Sequence, residues 1–332
     1  MVSRKVLTLS FLKPVLEFES RLQQLEKILY SYSQFNFSFS VDQKIKQLHF
    51  EINDIKTNVF NSLTPLQRLN LVRQSDRPTT LNYISSIMDE WVELHGDRGG
   101  NDDAAIVTGI ASLNRKTVVF IGHQRGKDTN DNVIRNFGMA SPGGYRKALR
   151  LMKHANQFNF PILTFIDTPG AWAGIEAEEL GQGHAIAINL KAMFSFDVPI
   201  ICTIIGEGGS GGALGIGIGD VVLMLEYAVY TVATPEACAA ILWKDSTKSP
   251  IAAESLKITS SDLKLLGIID DIIKEPLGGS QSNPEQVCFS LREKIISELN
   301  ALLLLSSENR KQIRYHKFRK IGEFHELPLS LN

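Results

Sequence analysis

An α/β fold built on a mostly parallel sheet is predicted by three features of the sequence. Apolar, β-branched runs alternate with helical patterns through the middle of the chain. Two of those runs end in tight glycine-containing turns, around Gly170 and around Gly206–Leu214. The chain is also large enough for a substantial core. It has 332 residues, 43% hydrophobic and 21% charged, a composition ordinary for a globular protein and a length above that of one typical domain.

The first elements are helical. Apolar residues recur at Phe18, Leu22, Leu25 and Leu29, and again at Val41, Ile45, Leu48, Ile52, Ile55 and Val59. The second set steps by four and three, an a/d seam, which predicts an antiparallel helical hairpin around a Ser31–Ser40 connection. A third helix opens at Thr64-Pro65, with Thr as cap and Pro at the first position. Residues 1–75 therefore read as an N-terminal helical arm.

Residues 76–305 read as the α/β domain. Strands are expected at Ile106–Leu113, Thr117–Ile121, Pro161–Asp167, Pro199–Gly206 and Val221–Tyr227. Helices are expected at Gly144–Phe158, Glu176–Phe196, Pro235–Trp243 and Ser261–Ile269, with a long helix from Pro284 to Leu305. Residues 306–332 carry Arg310, Lys311, Arg314, Lys317, Arg319 and Lys320 and read as a solvated basic tail.

Several function classes recede on composition. The net charge is −1, so no whole-molecule field draws the chain to nucleic acid or anionic lipid. No apolar stretch is long enough for a membrane span. Arg4, Lys5 and the run Val6–Leu12 make a poor signal peptide, since Lys13 and Pro14 follow. The segment before the arm is also short for a transit peptide. Cys202, Cys238 and Cys288 form no C-x-x-C pair, so no zinc ribbon or other metal site is expected, and the usage suits a reducing compartment.

The most informative segment is Gly206-Glu207-Gly208-Gly209-Ser210-Gly211-Gly212-Ala213-Leu214, after an apolar strand. Without Cβ atoms, such a backbone can approach a ligand closely and aim its amides at negative charge. Three templates fit. Gly206-x-Gly208-x-x-Gly211 matches a dinucleotide fingerprint, but Gly215, Gly217 and Gly219 break the helix it needs. Gly208-x-Ser210-x-Gly212 matches a nucleophile elbow, without a marked downstream acid and base. The third template is an oxyanion site of backbone amides alone, in which Ser210 caps the helix. The P-loop pattern is absent. Asp167-Thr168-Pro169-Gly170-Ala171 ends another apolar strand, so both turns can open onto one crevice at the carboxyl ends of the sheet. Beyond a third strand, His123 reads as a hydrogen-bonded structural residue. Arg125, Lys127 and Arg135 read either as a solvated loop or as cations for a ligand carboxylate or phosphate.

These blocks together resemble the alpha-subunit family of bacterial and plastid-type acetyl-CoA carboxylase carboxyltransferases. The match runs through Gly96-Asp97-Arg98, Gly122-His123-Gln124, Asn136-Phe137-Gly138-Met139 and Gly144-Tyr145-Arg146-Lys147-Ala148-Leu149-Arg150-Leu151-Met152. It continues through Phe165–Ala171, Gly206–Leu214, Pro235-Glu236-Ala237-Cys238, Ile241-Leu242-Trp243-Lys244 and Glu275-Pro276-Leu277-Gly278-Gly279. Trp172 stands where many relatives have tyrosine, and His184 where an acid is expected.

The resemblance implies a crotonase-like fold of β-β-α superhelical turns. It also implies a site shared with a beta subunit that carries a four-cysteine zinc ribbon, in an alpha2beta2 assembly. Carboxybiotin would arrive on a separate biotin carboxyl carrier protein, charged by a biotin carboxylase, and acetyl-CoA would be the co-substrate. Met152-Lys153 is not a biotin attachment site, because it falls in a helical pattern. By the same resemblance Gly211 and Gly212 donate amides to the biotin oxyanion, Gly208 and Gly209 shape the turn, and Pro169, Gly170 and Ala171 line the biotin side. Donors of that kind contribute about 3–4 kcal/mol each to catalysis. The place of work would be cytoplasm or plastid stroma. The rival expectations are a stand-alone crotonase-fold hydratase, isomerase or hydrolase of acyl-CoA, and a non-catalytic scaffold subunit.

Overall fold

The computed structural model describes residues 9–13, 15–20, 23–24 and 39–322. Eight strands form one sheet: β1 (Glu90–Glu93), β2 (Ile106–Leu113), β3 (Lys116–His123), β4 (Ile162–Thr168), β5 (Ile200–Gly209), β6 (Val221–Leu225), β7 (Val229–Thr231) and β8 (Asp271–Ile273). Their order is β1-β2-β3-β4-β5-β6-β8, with β7 paired to β5. The edge from β1 to β3 is antiparallel, and every pairing from β3 to β8 is parallel. The β2–β3 hairpin closes on Asn114 and Arg115, both with positive φ, the backbone a two-residue hairpin needs. β4 and β5 are buried along their whole length, as a parallel sheet covered on both faces requires.

The helices that bear on the site are α1 (Phe39–Asn61), α2 (Pro65–Val72), α3 (Thr80–Ile87), α4 (Pro142–Gln157), α5 (Gln182–Ser195), α6 (Ser210–Leu214), α7 (Pro235–Trp243), α8 (Pro284–Leu303) and α9 (Ser307–Arg319). The α/β expectation holds, with differences of detail. The expected helix Glu176–Phe196 is cut in two at Gly181, whose φ of 78° is left-handed. The expected strand Val221–Tyr227 stops at Leu225, and β7 begins at Val229. The expected helix Ser261–Ile269 spans Ser260–Leu265. The principal core joins Ile87, Phe120, Leu151, Ile204 and Leu291, so it draws on both helical layers as well as the sheet.

In the arm, Thr64 caps α2 through a full capping box with Gln67, and Pro65 follows it. α1 covers the second seam, and its Ile52 is buried while Leu48, Ile55 and Val59 are half-buried. Lys56 of α1 lies 2.5 Å from Glu19. The other helix of the expected hairpin, Phe18–Tyr30, and the Ser31–Ser40 connection lie largely outside the described residues.

The basic segment after Ser306 is not a solvated tail up to Gly322. It forms α9, and Arg314 is fully buried. Its guanidinium donates to both carboxylate oxygens of Asp220 at 2.9 Å and to the carbonyls of Phe196 and Val198 at 3.1 Å. Arg310 donates to Asp197 O at 2.7 Å, and Lys317 to Asp270 at 2.7 Å. Residues 310, 314 and 317 share one helical face, and that face meets acceptors rather than water. Residues 323–332 lie outside the described residues.

Candidate active site

β5 continues past its expected end at Gly206 to Gly209. Pairing with β6 ends at Ile204–Met224, and β7 then takes Glu207, Gly208 and Gly209 against Val229, Tyr230 and Thr231. On the other side Gly208 pairs with Thr168. Gly208 and Gly209 are therefore strand residues and not the turn itself. Their lack of a side chain has a steric cause. A Cβ on Gly208 would sit 2.8 Å from the Tyr230 ring, and one on Gly209 would collide with the Pro169 carbonyl.

The turn is at Ser210, whose φ of 49° is left-handed. Such strain persists only where the surroundings impose it, and here β5 and α6 do. α6 then runs five residues, to Leu214. A Cβ on Gly212 would lie 2.5 Å from Ala171 N and against the Gly170 backbone. The two turns singled out in the sequence thus pack backbone to backbone, Pro169-Gly170-Ala171 against Gly209 and Gly212. Gly211 differs: the nearest atom to its Cβ position is Ile186 Cδ1 at 3.8 Å.

The first N–H groups of a helix have no intrahelical acceptor. Among the described residues the amides of Gly211 and Gly212 find no other, and neither does that of Ala171. By contrast Gly170 N–H bonds Thr168 Oγ1 at 3.1 Å, and Trp172 N–H bonds Ala140 O at 2.9 Å. Ser210 does not cap α6: Gly209 is the N-cap residue, and no side-chain capping bond forms. Ser210 and Gly211 border a mostly apolar cavity of ≈ 550 Å³, walled by Leu214, Tyr230, Leu263 and Phe318.

Beneath the turns lies a buried ionic network that the sequence reading missed. Arg125 Nε is 3.0 Å from Asp167 Oδ1, and its Nη2 is 2.9 Å from Glu207 Oε2. Arg73 reaches Glu207 at 2.6 Å and Glu236 at 3.1 Å. Glu207 N–H donates to Asp167 Oδ1 at 3.0 Å. Burial pushes the Glu207 carboxyl up, but its bond to Arg73 and the Arg125 charge outweigh this and hold it below the usual range. At Asp167 burial wins over Arg125, and the pKa is raised. The signal was present: a carboxylate inside a buried glycine strand must be paired.

The other candidates divide. Arg125 is consumed by this network, so it is neither a solvated loop residue nor a free cation for a ligand. Arg135 pairs with Asp131 at 2.8 Å and with Ala104 O at 2.9 Å, while Lys127 is exposed. His123 is fully buried, and neither ring nitrogen has a hydrogen-bond partner, contrary to the hydrogen-bonded role expected. Burial and the Arg125 charge push its pKa down to about 3, against a smaller opposing effect of the Gly212 backbone. His123 is therefore neutral in use. Trp172 is 36% exposed, and His184 is exposed on α5. Met152 is buried and Lys153 exposed in mid-helix on α4. Among the described residues, no cluster of His, Cys, Asp or Glu could hold a metal.

The backbone path matches solved structures at low identity. The transcarboxylase 12S structure with methylmalonyl-coenzyme A bound aligns with a TM-score of 0.55 and 21% identity, over 67% of this chain and 41% of that one. The MdcD-MdcE hetero-dimer of Pseudomonas malonate decarboxylase aligns with a TM-score of 0.54 and 17% identity, over 72% of this chain and 96% of that one. The fold is crotonase-like.

Sequence comparison narrows the class. A family model described as acetyl co-enzyme A carboxylase carboxyltransferase-like matches residues 8–322. The acetyl-coenzyme A carboxylase carboxyl transferase subunit alpha of Gracilaria tenuistipitata var. liui is 70% identical over 326 residues, 98% of both chains. That of Crocosphaera subtropica is 59% identical over 328 residues, 99% of this chain and 97% of that one. The chain belongs to the alpha-subunit family of acetyl-CoA carboxylase carboxyltransferases, and it is an enzyme subunit.

Proposed function

We propose that this chain stabilises the ureido oxygen of biotin with main-chain amides while a carboxyl group passes from carboxybiotin to acetyl-CoA, giving malonyl-CoA. The observation that supports this reading most directly is the set of unpaired amides on Ala171, Gly211 and Gly212, in two turns packed against each other. Preorganised donors of this kind act where charge develops and need no reorganisation during the reaction. Gly208 and Gly209 let the strand end approach the neighbouring turn, and Pro169 and Gly170 form the facing wall. The buried pairs at Glu207 and Asp167 fix both strand ends, while no side chain at the turns is set up as an acid or base. His123 is held neutral, and the Ser210 hydroxyl makes no capping bond to α6.

The carboxyl group is supplied by carboxybiotin on a biotin carboxyl carrier protein, which a biotin carboxylase recharges. Acetyl-CoA is held across the site by a beta subunit bearing a zinc ribbon, in an alpha2beta2 assembly. No helix among the described residues is long and apolar enough to cross a membrane. We place the enzyme in plastid stroma or cytoplasm, as its relatives suggest.

Reconstitution tests this. The purified chain mixed with a zinc-ribbon beta subunit should convert malonyl-CoA and biocytin to acetyl-CoA and carboxybiocytin, and neither protein should do so alone. Absence of turnover with both subunits folded and associated would remove the proposal.

A further inference from the structure

α6 has five residues, too few to hold a direction by its own hydrogen bonds. Its orientation, and so the aim of the amides at its start, must come from what grips it. Two buried side chains do. The Tyr145 phenol, from α4 and fully buried, donates to the carbonyl of Gly212 at 3.1 Å. That carbonyl needs a donor because Ile216 N–H, its helical partner four residues on, bonds Ala213 O instead. The Tyr145 ring also lies 2.5 Å from where a Cβ on Gly215 would stand, which accounts for glycine there.

Asn189, from α5 and fully buried, completes the grip. Its amide nitrogen donates to Gly215 O at 3.0 Å and to Tyr145 O at 3.1 Å. It thereby ties the end of α6 to the helix that carries Tyr145. The His123 ring packs edgewise against Tyr145, with centroids 6.5 Å apart. Burial pushes the Tyr145 pKa far up, so the phenol keeps its proton and remains a donor at any working pH.

Resting on the oxyanion reading above, we propose that Tyr145 and Asn189 are positioning residues that fix the direction of the Gly211 and Gly212 amides. They touch no substrate and act only through α6. Small misplacements of a catalytic group cost large factors in rate.

The test is Tyr145→Phe in the reconstituted two-subunit enzyme, a change that removes one hydroxyl and leaves the ring. We expect kcat to fall about tenfold, with KM for malonyl-CoA and biocytin unchanged and assembly intact. Amide exchange at Gly215, whose N–H closes the end of α6 on Gly211 O, should quicken. Asn189→Ser is the second variant and should show the same loss confined to kcat. Wild-type kcat in both variants overturns the positioning role, as does a rise in KM that accounts for the loss. Gly211→Ala distinguishes the two levels. If it loses turnover while Tyr145→Phe does not, only the positioning proposal falls. If all three keep full turnover, the oxyanion reading falls with it.

Discussion

At the scale of single residues, Gly211 and Gly212 separate two roles that the sequence pattern merges. Gly212 is glycine because the Gly170–Ala171 backbone occupies its side-chain space. Gly212→Ala is therefore an overpacking change, expected to cost about 1–3 kcal/mol in urea denaturation and to disturb turnover indirectly. Gly211 has open space at its Cβ position and borders the cavity. Gly211→Ala should keep wild-type stability and assembly yet lower kcat by about tenfold or more, because the methyl keeps the ligand oxygen from its donors. Equal stability losses in the two variants would contradict this division. His123 carries a pH signature. Its folded pKa of about 3 lies below the usual value of 6.5, so the unfolded chain binds the proton first. The stability this gives is complete above about pH 6.5 and is lost as pH falls from there toward 3, at up to about 1.4 kcal/mol per pH unit. Denaturation midpoints between pH 7 and 4.5 should fall less steeply in His123→Asn, and identical slopes would exclude the assignment.

At the scale of elements, α9 shows how a charge run can deceive. Its basic residues were read as solvated because six cations follow Ser306, but the spacing of Arg310, Arg314 and Lys317 is that of one helical face. Arg314→Met leaves Asp220 buried without its partner and should cost about 3–5 kcal/mol. A loss within about 0.5 kcal/mol, the range of ordinary surface changes, would show that the pair contributes nothing. The strands were easier to read, since β2 to β5 are runs of β-branched and apolar residues whose burial on both faces permits no alternation. β1, β7 and β8 escaped because three or four residues carry too little pattern. The glycines stood out in the sequence as a candidate site, but not in their separate steric roles. A gap left for Tyr230, for Pro169 O or for the Tyr145 ring is a contact between distant segments, and no local motif encodes it. Ser210 was misread for a related reason: a capping residue lies outside the helix with extended backbone, whereas the left-handed φ here follows from how β5 meets α6.

At the scale of the whole molecule, the segment joining the helical arm to the sheet is sewn to residues far along the chain by arginines at 68, 73 and 77. Arg68 donates to Glu226 O at 2.9 Å, Arg73 bridges Glu207 and Glu236, and Arg77 holds both Glu275 and Ile205 O. Each contact joins residues at least 128 positions apart, which no local propensity could reveal. Their energetic weights differ by burial. The Arg77 and Glu275 side chains are 3% and 0% exposed, and Glu275 also accepts from Tyr227 N–H and Ser280 N–H. Arg77→Ala strands that carboxylate and should cost about 3–5 kcal/mol. Arg73 is 31% exposed, and Glu207 keeps Arg125 when Arg73 is lost. Arg73→Ala should therefore cost only about 1–2 kcal/mol, because charged hydrogen bonds go but the buried Glu207 stays paired and Glu236, at 43% exposure, is solvated. Urea midpoints of the two variants, measured at one ionic strength, decide the matter. A loss at Arg73 as large as that at Arg77 would mean that Arg125 cannot hold Glu207 alone and that the arm itself keeps the strand end carrying the glycines in place.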